Sequence, residues 1–190
     1  MTNISISTKN YNIRNIRRIS GDVTKVHADV LITAVNSAGM WFGGIDGAIQ
    51  NVAGNYFHKQ IPLGSIQDLD VVVAKGDHFN HNGKFKHVIF VVDDLKSKLR
   101  DIIATGLEFA DINEFTSVSI PAIRTGVMLG VVEKSLEEVV SEWIIGIKMY
   151  AADNMAESKD PNVQEISLVT YNNPELETIL HDALKREGFM

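Results

Sequence analysis

The sequence predicts an α/β domain in which helices cover a central sheet on both faces. Strands and helices alternate along the chain, which is typical of such a sheet. Val30, Leu31 and Ile32 form an apolar run typical of a strand that is buried on both faces. From Ile45 onward the apolar spacing becomes that of a helix. The predicted architecture is a three-layer α/β/α fold with a mixed central sheet.

Short apolar runs between turn residues predict the strands, and apolar residues that recur every three or four positions predict the helices. The predicted strands are residues 11–19 at an edge of the sheet, 22–26, 29–35, 70–74, 87–92, 118–123 and 165–171. The predicted helices are residues 45–58, 95–110, 132–151 and 174–185, the last with Asn173 as its cap and Pro174 at its first position. Asn82-Gly83 is the hairpin signal between the strands at 70–74 and 87–92.

Composition limits the possible functions. The chain has 190 residues, of which 45% are hydrophobic and 22% charged, and this suits one globular domain over residues 1–190. The absence of cysteine excludes disulfides, thiol catalysis and thiolate metal sites. A formal charge of −6 argues against a nucleic-acid binder, and the apolar runs are too short for a signal peptide or a membrane helix. We therefore expect a soluble cytoplasmic protein that binds neither nucleic acid nor membranes.

Two glycine-bearing loops follow predicted strands. Gly43 and Gly44 precede the helix that begins at Ile45, and Gly126 lies in the loop after the strand at 118–123. Ligands of such sheets bind at the carboxyl ends of the strands, where both loops fall. A glycine loop lets backbone N–H groups approach a ligand closely, and a helix N-terminus adds partial positive charge. These loops therefore predict an anion-binding site.

The order and spacing of these motifs resemble the macro domain, a module that binds ADP-ribose. The resemblance is carried by GDVTKVHADVLITAVNSAGMWFGGIDGAIQNVAG, from Gly21 to Gly54, and by SVSIPAIRTGVMLG, from Ser117 to Gly130. It extends over about residues 13–187. The resemblance implies a macro-domain-like fold and an ADP-ribose-related ligand, with no cofactor and no metal.

The resemblance also implies which residues bind the ligand. Asp22 and Val23 are both assigned to ligand binding. Asp22 matches the acid that accepts a hydrogen bond from the adenine amino group. The alternative is that Asp22 is a turn acid that caps the next residues. Tyr171, with Asn173 nearby, matches an aromatic residue that stacks near the adenine, or else it only closes the core. The residues that match the phosphate-binding loops are Gly43, Gly44 and Ile45 in the first and Thr125, Gly126, Val127 and Met128 in the second.

A catalytic pair is implied in the same way. In the hydrolytic branch of the family an Asn and an Asp ten residues later flank the distal ribose, and Asn36 and Asp46 have that spacing. We expect Asn36 to hold a ribose hydroxyl and Asp46 to orient a water molecule. The alternative for Asp46 is that an acid in the first turn of a helix only stabilises the helix dipole.

Several positions depart from the family's pattern. Thr33, assigned to ligand binding, stands where the family has the first Asn of Asn-Ala-Ala-Asn. Trp41 and Phe42 replace glycines that many members have, and Gln50 replaces a His of several hydrolytic members. These departures favour a binding module over an enzyme.

Arg124 also departs, because the family commonly has a Ser beside the second loop. It is assigned to the ligand site. Its guanidinium is expected to pair either with an extra phosphate or with a neighbouring carboxylate such as Glu133.

Two hypotheses of different kinds follow. The first is an enzyme that hydrolyses at the distal ribose, releasing phosphate from ADP-ribose 1″-phosphate or an ADP-ribosyl group from an acceptor. The second is a non-catalytic module that binds ADP-ribose or ADP-ribosylated proteins. The spacing of Asn36 and Asp46 favours the enzyme.

Overall fold

The computed structural model describes residues 13–39 and 44–189. These residues form a mixed six-stranded sheet in the order β1-β6-β5-β2-β4-β3. The strands are β1 (Asn15–Ser20), β2 (Ala28–Val35), β3 (Val71–Ala74), β4 (Phe85–Val92), β5 (Ser117–Pro121) and β6 (Glu165–Thr170). The helices are α1 (Gly44–Ala53), α2 (Leu99–Ile112), α3 (Leu136–Ala156) and α4 (Pro174–Arg186). Neighbouring strands are parallel except β3 and β4, which are antiparallel.

Helices cover both faces of the sheet. Successive residues of β2 point to opposite faces. Leu31 and Val35 pack with Ile49 of α1 in one apolar cluster. Val30 and Ile32 belong to a second cluster, which α2, α3 and α4 complete. The predicted three-layer α/β/α fold with a mixed sheet is therefore confirmed.

Local hydrogen bonds overturn one predicted strand. Residues 22–26 were predicted as a strand, but Val23–Lys25 form a 3-10 turn. The carboxylate of Asp22 accepts hydrogen bonds from the backbone N–H of Thr24 at 2.9 Å and from its hydroxyl at 2.8 Å. Such a local acceptor competes with strand pairing for the backbone.

Several helix boundaries were also predicted wrongly, among them both ends of α3, which was predicted at 132–151 and is observed at Leu136–Ala156. The helix predicted to end at residue 58 ends at Ala53, because Gly54 adopts φ 57° and stops it. The helix predicted from residue 95 begins at Leu99, since Leu95 has a left-handed φ of 59°. None of the helices in the described ranges combines the length and the hydropathy that crossing a membrane requires.

Asp111 joins the end of α2 to the segment after α3. Its carboxylate accepts hydrogen bonds from the Tyr150 hydroxyl at 2.7 Å, the Lys159 ammonium at 2.7 Å and the backbone N–H of Asn162 at 2.6 Å. Burial alone would raise the pKa of Asp111, but the hydrogen bonds from Lys159 and Tyr150 outweigh it and hold the pKa below its ordinary value. The unfolded chain therefore binds a proton at this position more readily than the folded protein does.

Replacement of Asp111 by Asn is expected to lower the free energy of unfolding by about 2 kcal/mol at neutral pH, since hydrogen bonds to a charged acceptor are lost. The contribution of the carboxylate is complete above its unfolded pKa of about 3.9 and is lost as the pH falls through the lower pKa of the folded state. Urea unfolding at decreasing pH measures the difference between variant and wild type, which should shrink. The exposed Asp182 provides the control, because its replacement by Asn should change stability by less than about 0.5 kcal/mol. A difference that is independent of pH would contradict this account.

Candidate functional site

A cavity of about 740 Å³ opens beside the carboxyl ends of β2, β5 and β6. Its lining includes Thr33, Pro121 and Val169 from these strands. Thr33, which was predicted to contact the ligand, is 1% exposed and lies between Leu31 and Val35 on the face that α1 covers. The volume is that of a small-molecule site.

The first turn of α1 forms part of the wall. Residues 44–47 all line the cavity. The first N–H groups of a helix have no acceptor within the helix, and they carry partial positive charge. Gly44 leaves room for a ligand, because apart from its chain neighbours and the backbone of α1 no heavy atom lies within 4 Å of where its Cβ would be. Gly43 lies outside the described residues, as do Trp41 and Phe42.

The loop after β5 forms another part of the wall. Thr125, Gly126, Val127 and Met128 all line the cavity. Their backbone N–H groups make no hydrogen bond to any residue in the described ranges. Backbone donors need a partner, and here solvent or a ligand must supply it. Together with the first turn of α1, this loop provides backbone donors for an anion.

Arg124 was expected to pair with an extra phosphate or with a carboxylate, and the structure shows carboxylates. The guanidinium donates to Asp93 at 2.7 and 2.9 Å, to Glu133 at 2.8 and 2.9 Å, and to the carbonyl of Ser97 at 2.9 Å. These contacts pair all three guanidinium nitrogens with acceptors of the protein itself. Arg124 also lines the cavity. Of the two kinds of partner expected for its guanidinium the structure shows the carboxylate, and a contact with the ligand stays a prediction.

The charged group of Arg124 is stable in this position because it is paired. The Arg124, Asp93 and Glu133 side chains are no more than 2% exposed. Burial alone would lower the pKa of Arg124, but the hydrogen bonds to Asp93 and Glu133 raise it above its ordinary value. The other charged residues in the described lining are Asp22 and Asp46, so an anion in the cavity would depend on backbone donors.

Asp22 has the capping role that the sequence offered as one of two alternatives, and its contact with adenine stays a prediction. Its Oδ1 accepts both hydrogen bonds from Thr24, which is the capping role. These bonds leave Oδ2 available to a ligand, and Asp22 and Val23 both line the cavity. The capping contact holds the carboxylate in place and does not exclude recognition of an amino group.

Tyr171 and Asn173 also line the cavity. Tyr171 is 67% exposed, so its ring does not close the core and is accessible for stacking. The side-chain oxygen of Asn173 accepts a hydrogen bond from the N–H of Leu176 at 3.0 Å, and Asn173 thus caps α4 as predicted.

Of the two residues predicted to be catalytic, Asp46 is in the described lining of the cavity and Asn36 is not. Asp46 lines the cavity, and its Oδ1 lies 2.9 Å from Nε2 of His58. Asn36 is not among the lining residues, and its carbonyl accepts the N–H of Gly39 at 2.9 Å. The role of Asn36 stays a prediction. His58 was missed because it lies beyond the chain reversal at Gly54, where no periodic spacing relates it to Asp46.

Across residues 13–39 and 44–189, no three His, Asp or Glu side chains are grouped so that they could hold a metal ion.

Comparison with known proteins places the chain among macro domains. The family model described as "Macro domain" matches residues 32–138, more than half of the chain. A macro domain-containing protein of Listeria monocytogenes is 27% identical over 172 residues, which are 83% of this chain and 90% of that protein. The O-acetyl-ADP-ribose deacetylase of Escherichia coli (strain K12) is 31% identical over 132 residues, which are 59% of this chain and 68% of that protein.

A solved structure shows the same fold. The Trypanosoma brucei macrodomain in complex with ADP-ribose superimposes with a TM-score of 0.73 at 18% identity, over 94% of this chain and 72% of that chain. At this level of identity the similarity establishes the fold alone.

Replacement of Arg124 by Met is expected to destabilise the protein by about 3–5 kcal/mol, because two buried carboxylates lose their cation. Urea unfolding measures the change. The matched control is Arg18→Met, since Arg18 pairs with Glu177 at 3.5 Å in a position where both side chains are more than a fifth exposed. That control should cost less than about 1 kcal/mol. Equal and small effects of the two substitutions would show that the buried ion cluster does not support the loop.

Proposed function

Because the chain belongs to the macro-domain family, we propose that its cavity binds ADP-ribose or a close derivative. The observation that carries the proposal is the meeting of two sets of backbone donors, at residues 44–47 and 125–128, in the lining of one cavity. A diphosphate suits these donors, because backbone amides and a helix N-terminus bind phosphate without a cationic side chain. The absence of a free cation from the described lining favours the same ligand chemistry.

The remaining lining residues suit the two ends of such a ligand. The carboxylate of Asp22 is an acceptor that matches the exocyclic amino group of adenine. The exposed ring of Tyr171 provides a surface for stacking. With the adenine between these residues and the diphosphate at the backbone donors, the distal ribose extends toward Asp46 in the first turn of α1.

The proposed reaction is hydrolysis of a bond at the distal ribose. Asp46 accepts a proton from the attacking water, and that proton is returned to the oxygen of the leaving group. The products thus carry the elements of one water molecule, whether the substrate is an acyl ester, a phosphate ester such as ADP-ribose 1″-phosphate, or an ADP-ribosylated acceptor. The similarity to a protein named O-acetyl-ADP-ribose deacetylase supports this class of reaction.

A second candidate function is binding without turnover. Asn36 does not line the cavity, and Thr33 offers a hydroxyl where an amide is common in the family. Without a group that positions the distal ribose relative to the attacking water, the cavity serves only to recognise ADP-ribose or ADP-ribosylated proteins. The two candidate functions share the same ligand. They differ in whether Asp46 transfers a proton in a reaction or only lines the binding cavity.

Calorimetric titration tests the binding proposal. ADP-ribose and ADP should bind more tightly than AMP, which lacks the second phosphate that the backbone donors would hold. Asp22→Ala should lower the affinity for ADP-ribose by about tenfold or more, which is equivalent to the loss of one hydrogen bond to a charged acceptor. Asp153→Ala, an exposed change on α3, is the control and should leave the affinity unaltered. Absence of binding for all three nucleotides would refute the proposal, and an unaffected Asp22→Ala would refute the adenine assignment alone.

Turnover decides between the two candidate functions. Asp46→Ala and the isosteric Asp46→Asn should each lower hydrolysis by about 10²–10⁴-fold, since a group that transfers the proton is lost. The substrates are O-acetyl-ADP-ribose and ADP-ribose 1″-phosphate, with the products identified by mass spectrometry. If both variants hydrolyse the substrates at the wild-type rate, Asp46 has no part in the mechanism. No turnover by the wild type, together with tight binding, would favour the binding module.

A further inference from the structure

The contact between Asp46 and His58 connects a residue that lines the cavity with a residue that lies outside its lining. Oδ1 of Asp46 and Nε2 of His58 lie 2.9 Å apart, and each side chain is 3% exposed. Asp46 belongs to the first turn of α1, whereas His58 begins the 3-10 turn His58–Gln60 that follows the reversal at Gly54. Water has little access to this contact, and exclusion of water strengthens a hydrogen bond.

The 3-10 turn that carries His58 is held firmly. The Gln60 side chain accepts a hydrogen bond from the N–H of Lys75 at 3.0 Å and donates to its carbonyl at 3.0 Å. Phe57, immediately before the turn, is wholly buried, and the imidazole of His58 packs on Phe90 with ring centroids 4.9 Å apart. The ring therefore has a defined position from which to contact Asp46.

The two oxygens of Asp46 have different surroundings. Oδ1 is engaged by His58. No residue in the described ranges makes a hydrogen bond to Oδ2, and Asp46 lines the cavity. One oxygen is thus held by the protein, and the other remains for a ligand or a water molecule.

We propose that His58 is a positioning residue, which holds the Asp46 carboxylate through Oδ1 so that Oδ2 can act on the substrate. The inference rests on the hydrolysis proposed above and extends it to a residue that lies outside the cavity lining. A carboxylate on a short side chain can rotate, and a fixed hydrogen bond restricts that rotation. Misplacement of a reacting group by about 1 Å can cost 10²-fold in rate.

Substitutions at His58 separate the hydrogen bond from the packing of the ring. His58→Phe keeps a ring against Phe90 and removes the bond to Asp46. His58→Gln keeps a donor near the place of Nε2, whereas His58→Asn is polar but too short to reach Oδ1. His27→Phe is the control, because His27 is exposed and does not line the cavity.

Each variant is tested for its single-turnover rate with O-acetyl-ADP-ribose, for ADP affinity and for melting temperature. ADP lacks the distal ribose, so its affinity reports on the rest of the cavity. His58→Phe and His58→Asn should lower the rate by about 10²-fold, with ADP affinity within about twofold of wild type. His58→Gln should restore most of the rate. Neither His58→Phe nor His58→Asn should slow the Asp46→Asn protein further, since the two residues act as one unit.

The outcomes distinguish the inference from the proposal beneath it. An inactive wild type would refute the hydrolysis and with it the role of His58. An active wild type with equally active His58→Phe and His58→Asn would refute the positioning role alone. Loss of ADP affinity in parallel with the rate, or failure of His58→Gln to restore the rate, would reduce His58 to a packing residue. If His58→Phe does not fold, the comparison of His58→Asn with His58→Gln decides the question.

Discussion

One buried cation connects three segments beside the cavity. A guanidinium removed from water must find carboxylates and must satisfy all its N–H groups, or the fold pays a large desolvation penalty. Arg124 meets this requirement by contacting Asp93 after β4, Glu133 before α3 and the carbonyl of Ser97 before α2. Three connecting segments are thereby brought to one point. Arg124 itself has φ 62°, which is uncommon for a residue other than glycine, and its contacts stabilise that conformation.

The same pairing determines how the cavity recognises charge. With Arg124 directed inward, the N–H groups of residues 125–128 are the donors that the loop presents. Fixed backbone dipoles select a ligand by the positions of its acceptors, whereas a flexible lysine would attract any anion. Asp22 and Asp46 add acceptors near the proposed ends of the ligand. This explains how a chain with a formal charge of −6 can offer a site for an anion.

The prediction of secondary structure succeeded where a periodic pattern extends over many residues. It failed where a single contact determines the conformation of the backbone. The buried strand at 29–35 and the helix cap at Asn173 follow from local patterns, and both were predicted. The 3-10 turn at Val23–Lys25 was missed because a single carboxylate, that of Asp22, redirects the backbone. α2 begins at Leu99 because Leu95 adopts a left-handed φ, which the apolar spacing does not reveal. The N–H of Leu99 is then bonded to Glu133, a residue from another part of the chain.

The sequence by itself determined the α/β class, the family and the positions of the start of α1 and of the loop after β5, because these depend on the order of residues along the chain. Only the tertiary structure decided that Arg124 pairs with Asp93 and Glu133 and that His58 contacts Asp46. Hydrogen bonds and ion pairs act over a few ångströms. Whether two residues come that close depends on chain reversals and on packing between layers, and neither leaves a periodic pattern in the sequence.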